Sequence, residues 1–463
     1  MTPMAVLATF GFIPFVLFLF ASMEGRKAAA AAFILGWLFL PVANIPVPAI
    51  STFGKIHAIC VAILLGAFLF EGDRLSNYNF SWIDLPMLGF CLAPLFASLA
   101  NGLGLYDGIA AMRDQTISWG LPYFVGRIYL TNLEELKDIA LWIFLGGLLY
   151  IPFCLFEIRM SPQLHMRVYG FFQHEDFSQT IRMGGYRPMV FMNHGLMVGM
   201  WMAMASLIGV WLYVTGVLPE AFGPQSRNLL LALLFVTVAV KSFGALLLFL
   251  LGVAVLFLTK WTRRSIFVLL LCLLPIFYLT TRVSGIWTGE NLVEQFARID
   301  EDRAESLRFR LDNEDILIDK ALQAPIFGWG GWGRARVYDE EGKDISVSDG
   351  QWIIVLGNLG IYGLTTMTAA ILLPVFLLLK KIPASRWHEP ASAPAAVLAI
   401  ALAMYMIDAL PNAMPNPTFM FLAGGLASLY LVSPAALLEP DDMVDGSAVS
   451  ALLPITGPKT RLI

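Results

Sequence analysis

The residues with the greatest chemical leverage are charged side chains at the ends of long apolar runs, because an ion at membrane depth is costly unless it faces water or a charged ligand. Arg182 and Arg187 precede the apolar run starting at Met189, Lys241 interrupts another, Arg282 ends a third and Asp349 opens a fourth. With the topology argued below, all of them fall at one membrane face. Arginine presents a planar fork of donors that matches phosphate oxygens two at a time, so several arginines at one face suit a diphosphate headgroup. For any one of them, snorkelling or loop solvation is the commoner role. A carboxylate with the ordinary value of about 3.9 is ionised at neutral pH and serves as a base. Asp349 suits that task; alternatively, Ser348-Asp349 caps the apolar helix starting near Gln351. His194 heads another apolar run, where it suits orienting a phosphate or hydroxyl, or simply holding structure.

The elements that must position these groups are membrane helices. Of 463 residues, 58% are hydrophobic and 14% charged, against about 25% charged in a soluble domain. Apolar runs of the roughly 20 residues that cross a bilayer recur to about residue 433. Spans are expected near 4–22, 28–44, 56–71, 85–100, 113–131, 138–156 and 189–215, then 229–241, 244–259, 266–281, 351–379, 393–411 and 416–433. This is an all-α polytopic membrane protein of about 12–13 transmembrane helices. The first run lacks a basic leader and a small-residue cleavage site, so it reads as a retained span. The basic loops at Arg26-Lys27, Lys260 to Arg264, and Lys380-Lys381 with Arg386 should be cytoplasmic. Segments 157–188 and 282–350 then face the other side as part of one bundle, 1–433, and the Pro-rich tail 434–463 is cytoplasmic.

Residues 282–350 form the one large polar loop, with 24 of the 64 Asp, Glu, Lys and Arg residues. Val293 to Gln323 has helical apolar spacing, whereas Gly328 to Gly333 reads as a turn-rich loop. Trp329, Trp332 and Trp352 near it suit stacking on sugar rings or anchoring at the headgroup level. The glycines lack the strand-to-helix context of a nucleotide-binding fingerprint. A net charge of -4 without long basic runs excludes nucleic acid as a partner. Cys60, Cys91, Cys154 and Cys272 lie in apolar runs without metal or disulfide spacing. The absence of paired half-broken helices weakens a transporter or flippase reading.

Three stretches resemble the O-antigen ligase and polymerase superfamily of bacterial envelope polysaccharide synthesis. Gly185-Tyr186-Arg187-Pro188 through Asn193-His194-Gly195 looks like the family's Arg-bearing approach to a His-headed span. Arg310 followed by Pro325-Ile326-Phe327-Gly328-Trp329-Gly330 is similar to its Arg, helix and Pro-x-x-Gly-x-Gly loop. Ser348-Asp349-Gly350, nine residues, then Gly360-Ile361-Tyr362-Gly363 fits its third motif, with Asp349 where the ligase branch has His. Lys241-Ser242-Phe243-Gly244-Ala245 looks like its Ser-Arg-Gly-Ala break, Lys241 standing in for the Arg. The resemblance covers roughly residues 110–430. It implies a GT-C-like glycosyltransferase in the bacterial inner membrane, needing neither metal nor other cofactor. Its substrate would be a glycan on undecaprenyl diphosphate, polymerised at the extracytoplasmic face, with a chain-length regulator as a possible partner. An O-antigen ligase is the alternative, disfavoured by Asp349. The implied catalytic set is Asp349, Arg310 and Arg187, with Lys241, Arg282, His194, Gln351 and Trp332 binding substrate.

Overall fold

The computed structural model describes residues 2–47, 51–174, 176–182, 184–298, 300–331 and 333–432. Trp332 and the expected tail 434–463 lie outside the described residues. Within them the protein is an α-helical bundle with two short hairpins, Ile45–Val47 with Ser51–Phe53 and Ile181–Arg182 with Gly185–Tyr186.

Eight described helices are long and apolar enough to cross a membrane, and shorter apolar helices at Lys55–Phe70, Ala393–Asp408 and Pro417–Leu431 pack among them. Fewer helices reach that length than the 12–13 expected spans, because several runs fold as short or composite helices. The run expected at 113–131 is one such case: Leu105–Gln115 and Leu121–Tyr129 are joined through a π-helical turn, Thr116–Gly120. The apolar stretch around Lys241 breaks into Ser226–Ala239 and Phe243–Thr262, with Lys241 itself at φ 59°.

Small residues let these helices approach one another, as membrane bundles require in place of a hydrophobic drive. A Cβ at Gly126 would lie 2.0 Å from the Phe421 carbonyl oxygen, and one at Gly424 would lie 2.0 Å from that of Tyr123. The alanines Ala28 to Ala32 are likewise fully buried.

Polar contacts mark the two ends of the bundle. At one end Arg26 pairs with Asp138 (3.4 Å), Arg74 with Glu135 (2.8 Å) and Arg127 with Asp84 (2.7 Å). At the other, Val42 N–H donates to His165 Nε2 (3.1 Å) and Asn101 Nδ2 to the Gly328 carbonyl (2.8 Å). This second end carries a polar cap, the helices Glu290–Ala297 and Glu301–Ala321, with its own small core of Val293, Ala304 and Leu311.

The Gly-rich loop after the cap plugs a break in the longest helix, Gln351–Lys381, which loses helical geometry at Gly360 (φ 66°). Backbone groups freed at such a break need partners when buried. The loop supplies them: Trp329 N–H donates to Gly357 O (2.9 Å), Gly330 N–H to Asn358 O (3.0 Å), and Ile361 N–H to Pro325 O (2.8 Å). Gly328 (φ 67°) sits so close that a Cβ there would be 2.5 Å from the Asn358 backbone. The two glycine motifs are therefore the two halves of one backbone junction.

Candidate functional site

Arg310 and Asp349 meet at the cap end. Arg310 comes from the cap helix Glu301–Ala321, and Asp349 from the extended stretch leading into Gln351–Lys381. The stretch is fixed by its neighbours: Asn313 Oδ1 accepts the Val347 N–H (2.8 Å), and Arg336 Nη1 donates to Ser348 Oγ (2.8 Å). Arg310 Nε then lies 3.4 Å from Asp349 Oδ2, with the side chains 48% and 44% exposed. The helix is capped by Gly350 without a side-chain bond. A capping role for Asp349 is thus not what the structure contains, and its carboxylate faces Arg310 instead.

The pair lines a cavity of about 360 Å³ together with Tyr278, Glu314, Asp408 and Asn412. Asp408 was missed from sequence. It is buried, and its Oδ1 accepts from Asn412 Nδ2 (2.8 Å). The signal that would have found it is a lone carboxylate closing an apolar run, which is costly unless it faces a polar space.

Arg282 is engaged elsewhere. It is 2% exposed, and its guanidinium reaches Glu314 (3.2 Å), Asp315 (2.9 Å) and the carbonyl oxygens of Thr288 (3.0 Å) and Leu311 (3.0 Å). Tyr278 OH also donates to Glu314 (2.7 Å). Burial pushes the Glu314 carboxyl up from its ordinary value, while Tyr278 and Arg282 hold it down. Arg282 thus bolts the cap onto the helix Ile266–Val283 and indirectly sets the position of Arg310.

Arg187 and Lys241 form a separate group. Arg187 is buried against Gly195, where a Cβ would be 2.3 Å from Arg187 Cδ, and its Nη2 donates to the Lys241 carbonyl (3.5 Å). Burial, with Arg182 nearby, lowers its pKa to about 10, so it stays cationic at neutral pH. Lys241 Nζ reaches the Arg182 carbonyl (3.4 Å). No described contact joins Arg187 to Arg310 or Asp349. The link is the chain break itself, since Gly244, three residues beyond Lys241, lines the Arg310 cavity.

His194 caps the helix Gly195–Val214: its Nδ1 accepts the Leu196 N–H (3.1 Å), and Nε2 sits 3.1 Å from Gln179 Oε1. Burial, then His174 and the nearby arginines, lower its pKa to about 4, so the ring is neutral at pH 7. Gln351 lines a different cavity of about 470 Å³, and its N–H donates to Asn412 O (3.3 Å). Trp329 anchors the plug loop through Nε1 to Lys320 O (2.8 Å), and Trp352 is fully buried.

Among the described residues no three His, Cys, Asp or Glu side chains are grouped to hold a metal ion, and all four cysteines are buried thiols. What the arrangement offers is a wet, half-open acid–cation pair beside two further carboxylates. No family model and no curated protein matches the chain.

Proposed function

We propose that the chain is a metal-independent membrane glycosyltransferase of the GT-C type that polymerises oligosaccharide repeats carried on undecaprenyl diphosphate. The observation that carries this reading is the half-exposed Arg310–Asp349 pair, 3.4 Å apart on the wall of a cavity at the cap end. An acceptor hydroxyl attacks the anomeric carbon of the lipid-linked sugar, the bond from that carbon to the diphosphate oxygen breaks, and undecaprenyl diphosphate leaves. Asp349 takes the hydroxyl proton, and Arg310 stabilises the charge growing on the diphosphate. Base and leaving group sit on opposite faces of a sugar undergoing such displacement, so substrate must part the pair. An exposed ion pair is worth only about 0–1 kcal/mol, so parting it costs little. Arg187 adds positive potential at the break whose next turn borders the cavity.

A second support is an apolar groove of about 590 Å³ between Ile266–Val283 and Gln351–Lys381, lined by Ile276, Leu364, Leu373 and Phe376 and ending at Ser284. Tyr278 on the same helix lines the Arg310 cavity. A lipid tail in the groove would leave its headgroup at the end of the helix that also borders the Arg310 cavity. In the bacterial inner membrane, the cap would face the extracytoplasmic side, where a chain-length regulator is the expected partner.

The test is genetic and chemical together. In a strain lacking the gene, Arg310→Ala and Arg187→Ala should fail to restore polymer, with single repeats accumulating on the lipid carrier although the protein remains in the membrane. Wild-type polymer from both variants would sink the site; long chains stranded on the carrier would instead identify a ligase.

A further inference from the structure

We infer that a second cavity, lined by residues other than those around the Arg310–Asp349 pair, binds the neutral sugar rings of an acceptor glycan. Two adjoining hollows, of about 470 and 350 Å³, share Ile56, Asp114, Ser118 and Pro415 and so form one groove. Each falls in the size range, roughly 300–1,000 Å³, of small-molecule sites.

Three features of the groove point to saccharide. First, its lining carries six side-chain amides: Asn44, Gln115, Asn193, Gln351, Asn358 and Asn416. An amide both donates and accepts, which is the pattern a row of sugar hydroxyls presents. Trp37, Trp119 and Tyr405 add apolar ring surface. Lys55 Nζ is held by the Phe191 carbonyl (3.1 Å) and the Trp37 ring (4.5 Å), while the exposed Asp114 beside Arg113 (2.8 Å) puts a carboxylate on the lining that repels anions. A neutral ligand is therefore favoured over an anion.

Second, three lining residues hold buried polar atoms without a hydrogen-bond partner among the described residues: Asn358 Oδ1, His57 Nε2 and Trp37 Nε1. Buried polar groups in folded proteins are nearly always satisfied; these three are sealed from solvent behind the groove wall, so a ligand or water meets them only once their side chains rotate. Third, the groove is lined from two backbone irregularities, the π-helical turn Thr116–Gly120, which contributes Ser118 and Trp119, and the Gly360 break beside Asn358. Non-helical backbone at membrane depth is tolerated where it is buried or lines a polar cavity, and π-turns recur at functional sites.

The role as acceptor site rests on the transferase reading. Gln351 in the groove is two residues from Asp349 on the wall of the neighbouring cavity, so the chain itself joins the two hollows at the start of Gln351–Lys381.

The test uses the full chain in lipid nanodiscs and a panel of neutral oligosaccharides of three to six sugars, with binding read by tryptophan fluorescence. Wild type and Arg310→Ala should bind at least one member, and Asn358→Leu and Ser118→Phe should weaken it by roughly tenfold or more. No binding by wild type, or binding untouched by both groove variants, overturns the inference. If the variants do not fold, a diazirine-bearing form of the bound oligosaccharide keeps the question open to test: crosslinks at 115–119 or 354–359 support the groove, and crosslinks only elsewhere overturn it. Turnover of lipid-diphosphate glycan is measured in parallel. Groove binding without any turnover supports the saccharide site while striking the transferase reading alone.

Discussion

The bundle has an arginine–aspartate pair at each end, and the two are built for opposite purposes. Arg127 and Asp84 are each 4% exposed and 2.7 Å apart. Asp84 also accepts from Tyr123 OH (2.8 Å) and the Ser81 N–H (2.9 Å), while Arg127 reaches Ser428 Oγ (2.8 Å) and the Asn79 carbonyl (2.9 Å). Arg127 and Ser428 do border a hollow of about 350 Å³, but the polar groups of the pair are spent on partners within the protein. Arg310 and Asp349 share one contact of 3.4 Å, stand half in water and border a cavity. Burying an ion pair is justified energetically only when every remaining lone pair and proton is satisfied. A pair left open contributes little to folding, so its place in the molecule calls for a different explanation, and chemistry on a charged substrate is the one proposed.

Breaking each pair should have contrary consequences. Arg127→Ala strands Asp84 in the protein interior and should cost about 3–5 kcal/mol of stability, seen as a large drop in the thermal midpoint in detergent. Asp349→Asn should leave that midpoint in place and slow polymer synthesis by about 10²–10⁴-fold, the usual worth of a general base. Rapid polymerisation by Asp349→Asn would remove Asp349 from the chemistry. Arg282→Met keeps the bulk of the stem but leaves Glu314 without its charged partner, and should cost about 2–4 kcal/mol. The expected readout is faster proteolysis within 284–321, because the cap loses its bolt.

His194 gives a smaller and pH-dependent effect. Its folded pKa of about 4 lies below the ordinary 6.5, so the unfolded chain takes up the proton first. Stability should be lost as pH falls from 6.5 towards 4, by an amount on the order of 1–3 kcal/mol. His194→Asn retains a cap for the Leu196 N–H and should flatten this part of the profile relative to wild type. Equal pH profiles for the two proteins would remove His194 as the cause.

How much of this was legible in the sequence follows from what each signal measures. Hydropathy found the membrane helices and the polar insertion, because both are set by mean composition. It could not separate long spans from composite ones, since the π-turn at Thr116–Gly120 and the break at Gly360 leave hydropathy unchanged. The charges at helix ends were visible, but their partners were not. Arg282 and Arg310 look alike in sequence, yet one is sealed by Glu314 and Asp315 from a helix about 30 residues away and the other faces a cavity. For the same reason, the residues competing to cap the long helix could not be ranked until the backbone put Gly350, not Asp349, at the cap. Asp408 and four amides of the second groove, Asn44, Gln115, Asn358 and Asn416, are not singled out in the sequence because they converge only through tertiary packing.

The smallest expected effect is the most discriminating. Arg310→Ala removes a half-exposed guanidinium whose one ion-pair contact is at 3.4 Å, so it should shift stability by no more than about 1 kcal/mol. The thermal midpoint should sit close to that of wild type, and addition of salt should change it little, because the pair contributes little that screening could remove. Binding of a lipid diphosphate to the same variant should fall sharply, since a charge-assisted fork to phosphate has no substitute at that position. Suppose instead that Arg310→Ala unfolds as readily as Arg127→Ala. The two pairs would then be doing the same structural work at opposite ends of the bundle, and the division between a sealed pair and an open one would have no functional meaning.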